Sequence, residues 1–173
     1  MPALIRPHHG VTPTVAADAF VAETAVLIGD VEIGAEASIW YGCVLRGDRH
    51  RIRVGARTNV QDGTIVHITA ERFPCLIGAG ITIGHAAVIH ACTLEDDCFI
   101  GMRATVMDGA VVERHAMVAA GALVTPGKIV PSGELWAGSP ATKMRELTEA
   151  DFANFHRLAA HYVETAKSFM TDG

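Results

Sequence analysis

Aliphatic residues recur at every sixth position of this chain, and that period leaves few architectures open. Steps of six from Val15 land on Val21, Leu27, Ile33, Ile39 and Leu45. Steps of six from Leu94 land on Ile100, Val106, Val112, Val118, Val124, Val130 and Trp136. Two shorter runs between them, Val54, Val60, Val66 and Ile77, Ile83, Ile89, keep the same spacing. Neither an α-helix nor a half-buried strand repeats at six. A coil with three short flat faces does, and its full turn takes about eighteen residues. Aliphatic side chains then stack inside a prism, each above the one a coil earlier. Small residues four places on, such as Ala25, Ala37, Cys43, Thr64, Ala104, Ala110 and Ala116, fill the inner corners. Register breaks at 46–53, 67–76 and 90–93 mark small insertions or deletions. Coils stacked at about 4.8 Å give about seven turns and a prism about 34 Å long.

Composition agrees with narrow, tightly wound β-structure: 50% of residues are hydrophobic, yet only 6% are aromatic, and 17 are glycine. The prism is expected over 1–146. Residues 147–173 are expected to form a helix packed along it, opened by Thr148 as N-cap with Glu149 and Asp151 in the first turn. Phe152, Phe155, Ala159, Tyr162, Ala166 and Phe169 mark its apolar face, and the last three residues are expected to fray.

A net charge of −5 argues against nucleic acid. No stretch of 18 apolar residues suggests a membrane span. The opening Met1-Pro-Ala-Leu-Ile-Arg-Pro-His-His-Gly holds no long apolar run, so no export signal and a cytoplasmic location are expected. Cys43, Cys75, Cys92 and Cys98 lack CxxC spacing and read as reduced, mostly buried thiols.

Three of the nine histidines stand out. His67 follows the inward Val66, and His90 follows the inward Ile89, so both occupy one slot of the repeat. They are separated by one coil plus the insertion near Arg72-Phe73-Pro74, which stacks them on one face. His85 lies two places after Ile83 and points around a corner. A three-histidine metal site would therefore need His85 from a neighbouring prism, with a cyclic trimer as the closed arrangement. Three histidines with an open fourth position are the ligand set of a catalytic zinc. Spacing alone leaves ordinary surface histidines equally open. His8, His9, His50, His115, His156 and His161 have no partner spacing and read as solvated.

Arg46-Gly47-Asp48, Asn59-Val60-Gln61-Asp62-Gly63, His67 and Ile83-Gly84-His85 followed by His90 occur in this order and at these distances. Together with the Gly138-Ser-Pro-Ala141 loop and the C-terminal helix, they resemble the γ-class carbonic anhydrase family of hexapeptide-repeat proteins. The resemblance implies a left-handed parallel β-helix, a hand that periodicity does not set and that runs against the usual right-handed crossover. It implies reversible hydration of carbon dioxide to bicarbonate by hydroxide formed at the metal. His67 and His90 would come from one subunit of a homotrimer and His85 from the next. Zn2+ is the implied metal, and three histidines accept Fe2+ or Co2+ as well.

The resemblance further implies that Gln61 bonds the metal's water and that Asn59 lies near bicarbonate. Arg46 and Asp48 would form an inter-subunit ion pair with Arg46 facing the site, Asp62 would be a supporting carboxylate, and Tyr162 a pocket tyrosine. A purely structural ion pair is the plain alternative for Arg46, Asp48 and Asp62. The chain departs from the family's founding type in the proton path: the loop after His67 offers only Glu71, and Arg49 stands where that type has a glutamate. Slow proton removal is the expectation. A hexapeptide acyltransferase, or an inactive metal-binding scaffold, are the competing readings.

Overall fold

The computed structural model describes residues 2–171. The chain winds through seven parallel rungs on each full face and closes with a helix, Glu149–Thr171. The first face stacks rungs at 4–6, 26–29, 44–47, 65–67, 88–90, 105–106 and 123–124. The second stacks 14–15, 31–33, 52–54, 75–77, 93–94, 111–112 and 129–130. The third stacks 20–21, 38–39, 59–60, 82–83, 99–100, 117–118 and 134–138. A final strand, Ala141–Glu146, runs antiparallel along Glu134–Gly138 and turns the chain toward the helix.

Rungs of two or three residues survive because every one hydrogen-bonds to the coil above and below, and because one side chain per face points inward. All the six-step residues from Leu27 to Val130 are buried. Each such burial contributes roughly 1.5–3 kcal/mol. Val15, Val21 and Trp136, at the two ends, pack on the same core but are only partly covered, since each lacks a neighbour on one side. Corners must be thin. A Cβ on Gly84 would sit 2.5 Å from the Met102 backbone nitrogen of the next coil.

The register breaks all fall at one corner, between the first and second faces. Gly29 pairs with Gly47, but the next pairing is Val31 with Ile52, so residues 48–51 bulge outward opposite Asp30. One coil on, Thr69 bridges back to Phe73 and closes a short loop. In the following coil the corner shrinks to Ala91 and Cys92, with Ala91 at φ 51°. This irregular corner carries most of the polar chemistry described below.

The helix lies on the third face, against the rungs at 20–21, 38–39, 59–60 and 82–83. Thr148 and Asp151 cap it reciprocally: the Thr148 N–H donates to Asp151 Oδ2 at 2.7 Å, and the Asp151 N–H donates to Thr148 Oγ1 at 3.3 Å. Its buried stripe is Phe155, Ala159, Val163 and Ala166. Val163 thus sits at the centre, while Tyr162 is half-buried and Phe169 stays 44% exposed. The difference from the expected face is one of ring reach: Tyr162 and Phe169 flank the stripe and close on Trp40 from its side, with ring centroids 5.5 and 5.3 Å away. Phe155 stacks on Phe99 at 5.0 Å.

All four cysteines are free and buried. Burial pushes the Cys43 thiol up to about 11. Thiol reagents act on accessible thiolate, so the native protein at pH 8 is expected to leave all four unlabelled. Denaturant should release four equivalents, counted by absorbance of the liberated reporter; rapid native labelling of Cys43 or Cys98 would contradict the packed prism.

Candidate metal centre

The sequence-derived residues fall into two groups on the two edges of the first face. The first group sits at the irregular corner. Arg46, His67 and His90 occupy equivalent positions in three successive rungs. His67 Nδ1 lies 3.2 Å from His90 Nε2. Arg46 pairs with Asp48 within the protomer, and Asp48 Oδ1 lies 3.3 Å from His67 Nε2. His90 Nδ1 lies 2.6 Å from Asp108 Oδ1, while the Thr69 hydroxyl donates to the other oxygen of Asp108.

With both rings neutral, these contacts assign each histidine one tautomer. A carboxylate can only accept, so Asp48 takes the Nε2–H of His67 and Asp108 takes the Nδ1–H of His90. The two nitrogens facing each other, His67 Nδ1 and His90 Nε2, then both present lone pairs. That opposition is repulsive unless a cation lies between them. Two metal–nitrogen bonds of about 2.0–2.1 Å at a tetrahedral angle span about 3.3–3.4 Å, close to the 3.2 Å found here. The donor set therefore fits a borderline metal ion. Burial, reinforced by the nearby Arg46 cation, pushes His67 below the usual histidine value and favours the neutral ring a metal requires. Burial raises the Asp108 carboxyl, but hydrogen bonds from Thr69 and His90 outweigh it and leave the group below its usual range. For Asp48 burial is likewise outweighed, here by Arg46.

The second group sits where the third face turns into the first. His85 Nδ1 pairs with Asp62 Oδ2 at 2.9 Å. His85 also lines a pocket of about 370 Å3 with Gln61, Thr82, Phe99, Met117 and Tyr162. Gln61 is buried, and its amide nitrogen donates to Asn59 Oδ1 at 3.0 Å. Asn59 in turn donates to Thr82 Oγ1 at 2.9 Å. With one amide N–H engaged, Gln61 has its carbonyl oxygen and its second N–H left to offer the pocket. Burial raises the Tyr162 phenol, and the Asp62 charge adds to it. Arg46, Asp48, His67 and His90 are thus together, as are Asn59, Gln61, Asp62, His85 and Tyr162, but the two groups are separate within a protomer. Among the described residues no three His, Cys, Asp or Glu side chains converge as a metal cage.

Known proteins match this chain along most of its length. The model of the bacterial transferase hexapeptide family (six repeats) matches residues 91–126. Gamma carbonic anhydrase 2, mitochondrial, of Arabidopsis thaliana is 53% identical over 161 residues, covering 90% of this chain and 58% of that protein. A carbonic anhydrase of Geobacillus kaustophilus is 39% identical over 166 residues, covering 96% of this chain and 91% of that one. The chain belongs to the γ-class carbonic anhydrase-like family of hexapeptide-repeat proteins. Its coil superposes on the crystal structure of a hexapeptide transferase family protein from Anaplasma phagocytophilum with a TM-score of 0.93 at 48% identity, over 98% of this chain and 99% of that one. The fold is the family's left-handed parallel β-helix. The chain spans 58% of the plant protein's length.

Two side chains at the γ-class-like corner escaped the reading of motifs. Asp108 follows His90 by one regular coil of 18 residues, so counting a coil forward from His90 finds it. Thr69 lies in the loop whose length breaks the count, and no spacing signal points to it. In metal-free protein at pH 8, His90 is expected as the Nδ1–H tautomer and His67 as the Nε2–H tautomer, read from long-range 15N–1H correlations. Asp108→Ala should release His90 from Nδ1–H while leaving His67 unchanged; Nε2–H on His90 in the unsubstituted protein would contradict the assignment.

Proposed function

We propose that this protein catalyses the reversible hydration of carbon dioxide at a metal held between subunits by His67 and His90 of one protomer and His85 of the next. The opposed lone pairs of His67 and His90 carry the reading. They supply two of the nitrogens, and His85 on the other edge of the same face supplies the third. Between those edges the first face carries a column of exposed Ile65 and half-buried Val26, Val44, Val88, Thr105 and Leu123, uncovered by the helix. An apolar face with complementary half-sites on its two edges calls for a head-to-tail interface, and such interfaces close as rings. Three prisms make a homotrimer with three identical sites.

A metal held there by His67, His90 and the neighbouring His85 would supply Lewis acidity and bring the pKa of water toward 7; Zn2+, Fe2+ and Co2+ all accept this ligand set. The chain's own residues do the rest. Asp108 and Asp48 hold the two imidazoles in the tautomers that leave the ligating nitrogens bare. Asp62 orients His85. Gln61, fixed by Asn59 and Thr82, offers its carbonyl to a water hydrogen so that an oxygen lone pair faces the carbon of carbon dioxide. Arg46 would bond bicarbonate. Asn59, expected near bicarbonate, is buried with its amide engaged by Gln61, Thr82 and the Ile81 carbonyl and so braces Gln61 instead. Tyr162 and Phe99 narrow the pocket around an apolar substrate. No helix among the described residues is long and apolar enough to cross a membrane, and four unpaired thiols suit a reducing compartment such as the cytoplasm. Acyl transfer on the same coil needs one general base and gives opposed imidazoles and their carboxylates no task.

Protein purified without oxygen should carry about one metal per subunit, sediment as a trimer and hydrate carbon dioxide in stopped flow. His85→Ala and His90→Ala should each abolish metal binding, while His115→Ala and His156→Ala leave it intact. Asp108→Asn should weaken metal affinity about 10- to 100-fold, and Gln61→Ala should lower kcat/KM by a similar factor. A monomer that keeps its metal, or a metal-loaded trimer without hydration, would sink this reading.

A further inference from the structure

Each carbon dioxide hydrated releases one proton, and the acid expected to carry it off is poorly placed. Glu71 is an exposed side chain tied to Arg49 by an ion pair of 2.8 Å. A different group lies at the irregular corner. His8, His9 and His50 line a pocket of about 220 Å3 together with Asp30, Gly47, Asp48 and Arg49. Asp48 borders this pocket and also contacts His67 Nε2, so a single carboxylate separates the cluster from the proposed metal ligand.

The chain builds this arrangement deliberately. Residues 8–11 form a two-residue turn: the His8 N–H donates to the Val11 carbonyl at 2.9 Å and the Val11 N–H donates back at 3.0 Å. His9 and Gly10 take φ 47° and 78° in its centre, the pattern of a tight primed turn. The turn sets the His8 and His9 rings against each other with centroids 4.2 Å apart. It rests on Gly29, where an added Cβ would meet His8 Cβ at 3.4 Å and overlap the Gly47 carbonyl. Gly29 pairs with Gly47, which directly precedes Asp48. The charged and titratable groups facing the turn are accounted for: Asp30 pairs with Arg53 at 2.7 Å, Arg49 with Glu71, Asp48 with Arg46, and His50 Nδ1 accepts the Arg51 N–H at 2.8 Å. Among the described residues, no protein group bonds the ring nitrogens of His8 or His9.

We propose that His8 and His9 are the proton relay of this enzyme, taking the proton of the hydration step from water in the pocket beside Asp48 and passing it to solvent. This rests on the carbon dioxide reading above. A neutral imidazole accepts the proton at one nitrogen and releases the proton of the other to buffer, which leaves the ring in its opposite tautomer; proton exchange with solvent at the exposed ring then restores the starting one. Histidine is the side chain suited to such exchange near neutral pH. His50, its ring held by the Arg51 N–H, walls the pocket.

The metal-loaded trimer of His8→Ala/His9→Ala should lose about 100-fold in kcat at low buffer. Its kcat/KM should stay unchanged, and imidazole buffer should restore kcat. The same variant should still exchange 18O between carbon dioxide and bicarbonate at equilibrium, a step that needs no proton exit, while release of label to water slows. The single variant His9→Gln alters only an exposed ring and should show the same pattern in weaker form. Wild-type kcat in the double variant at low buffer, a loss that imidazole does not repair, or Glu71→Ala reproducing the loss would overturn the relay. Absence of label exchange in the metal-loaded wild type would overturn the carbon dioxide reading itself, and the relay with it.

Discussion

Everything in this molecule depends on vertical stacking: each short rung hydrogen-bonds to the rung one coil away, and each inward aliphatic side chain rests on its counterpart. A two-residue strand has no independent stability. Seven rungs on a face do, because each satisfies the backbone of the next and because Leu27, Leu45, Ile83, Ile100 and their equivalents exclude water from the axis. The same rule that stabilises the coil also aligns side chains into columns. A residue's neighbours above and below are those one turn away in sequence, which is why Arg46, His67 and His90 fall in line.

The proposed site occupies the places where that regularity is relaxed. The corner between the first and second faces bulges at 48–51, loops at 69–73 and contracts at 91–92. The bulge brings Asp48 to His67, and the loop brings Thr69 to Asp108. Those two carboxylates decide which nitrogens of the histidines are bare, so the proposed ligands would be prepared by residues outside the metal's reach. The half-site on the opposite edge is stiffened differently, by the buried chain Gln61, Asn59 and Thr82 beneath the helix. In the proposed trimer, splitting the site across an apolar face would couple assembly to chemistry, since the interface and the metal centre would form together.

The period, the inward residues, the terminal helix and its cap were all legible from the chain, because a six-residue repeat has one geometric consequence and Thr148 with Asp151 has another. The histidine slots were legible for the same reason: position in a repeat is position on a face. Val163 was missed because aromatic residues dominate an apolar pattern by size, whereas burial follows the line of closest approach to the prism. Asp108 lay within reach of the same count, one coil beyond His90, but an isolated aspartate draws attention only once its partner is known to need orienting.

What the sequence determined by itself is the coil: its period, its core and the columns on which Arg46, His67 and His90 lie, since local spacing dictates contacts between successive turns. What only the tertiary structure decided is everything across the irregular corner. The pairing of His90 with Asp108, the opposition of two lone pairs, and the gathering of His8, His9 and His50 beside Asp48 join segments whose separations include insertions. Such separations follow from how a bulge and a tight turn pack on the neighbouring coil, and no fixed spacing in the chain encodes them.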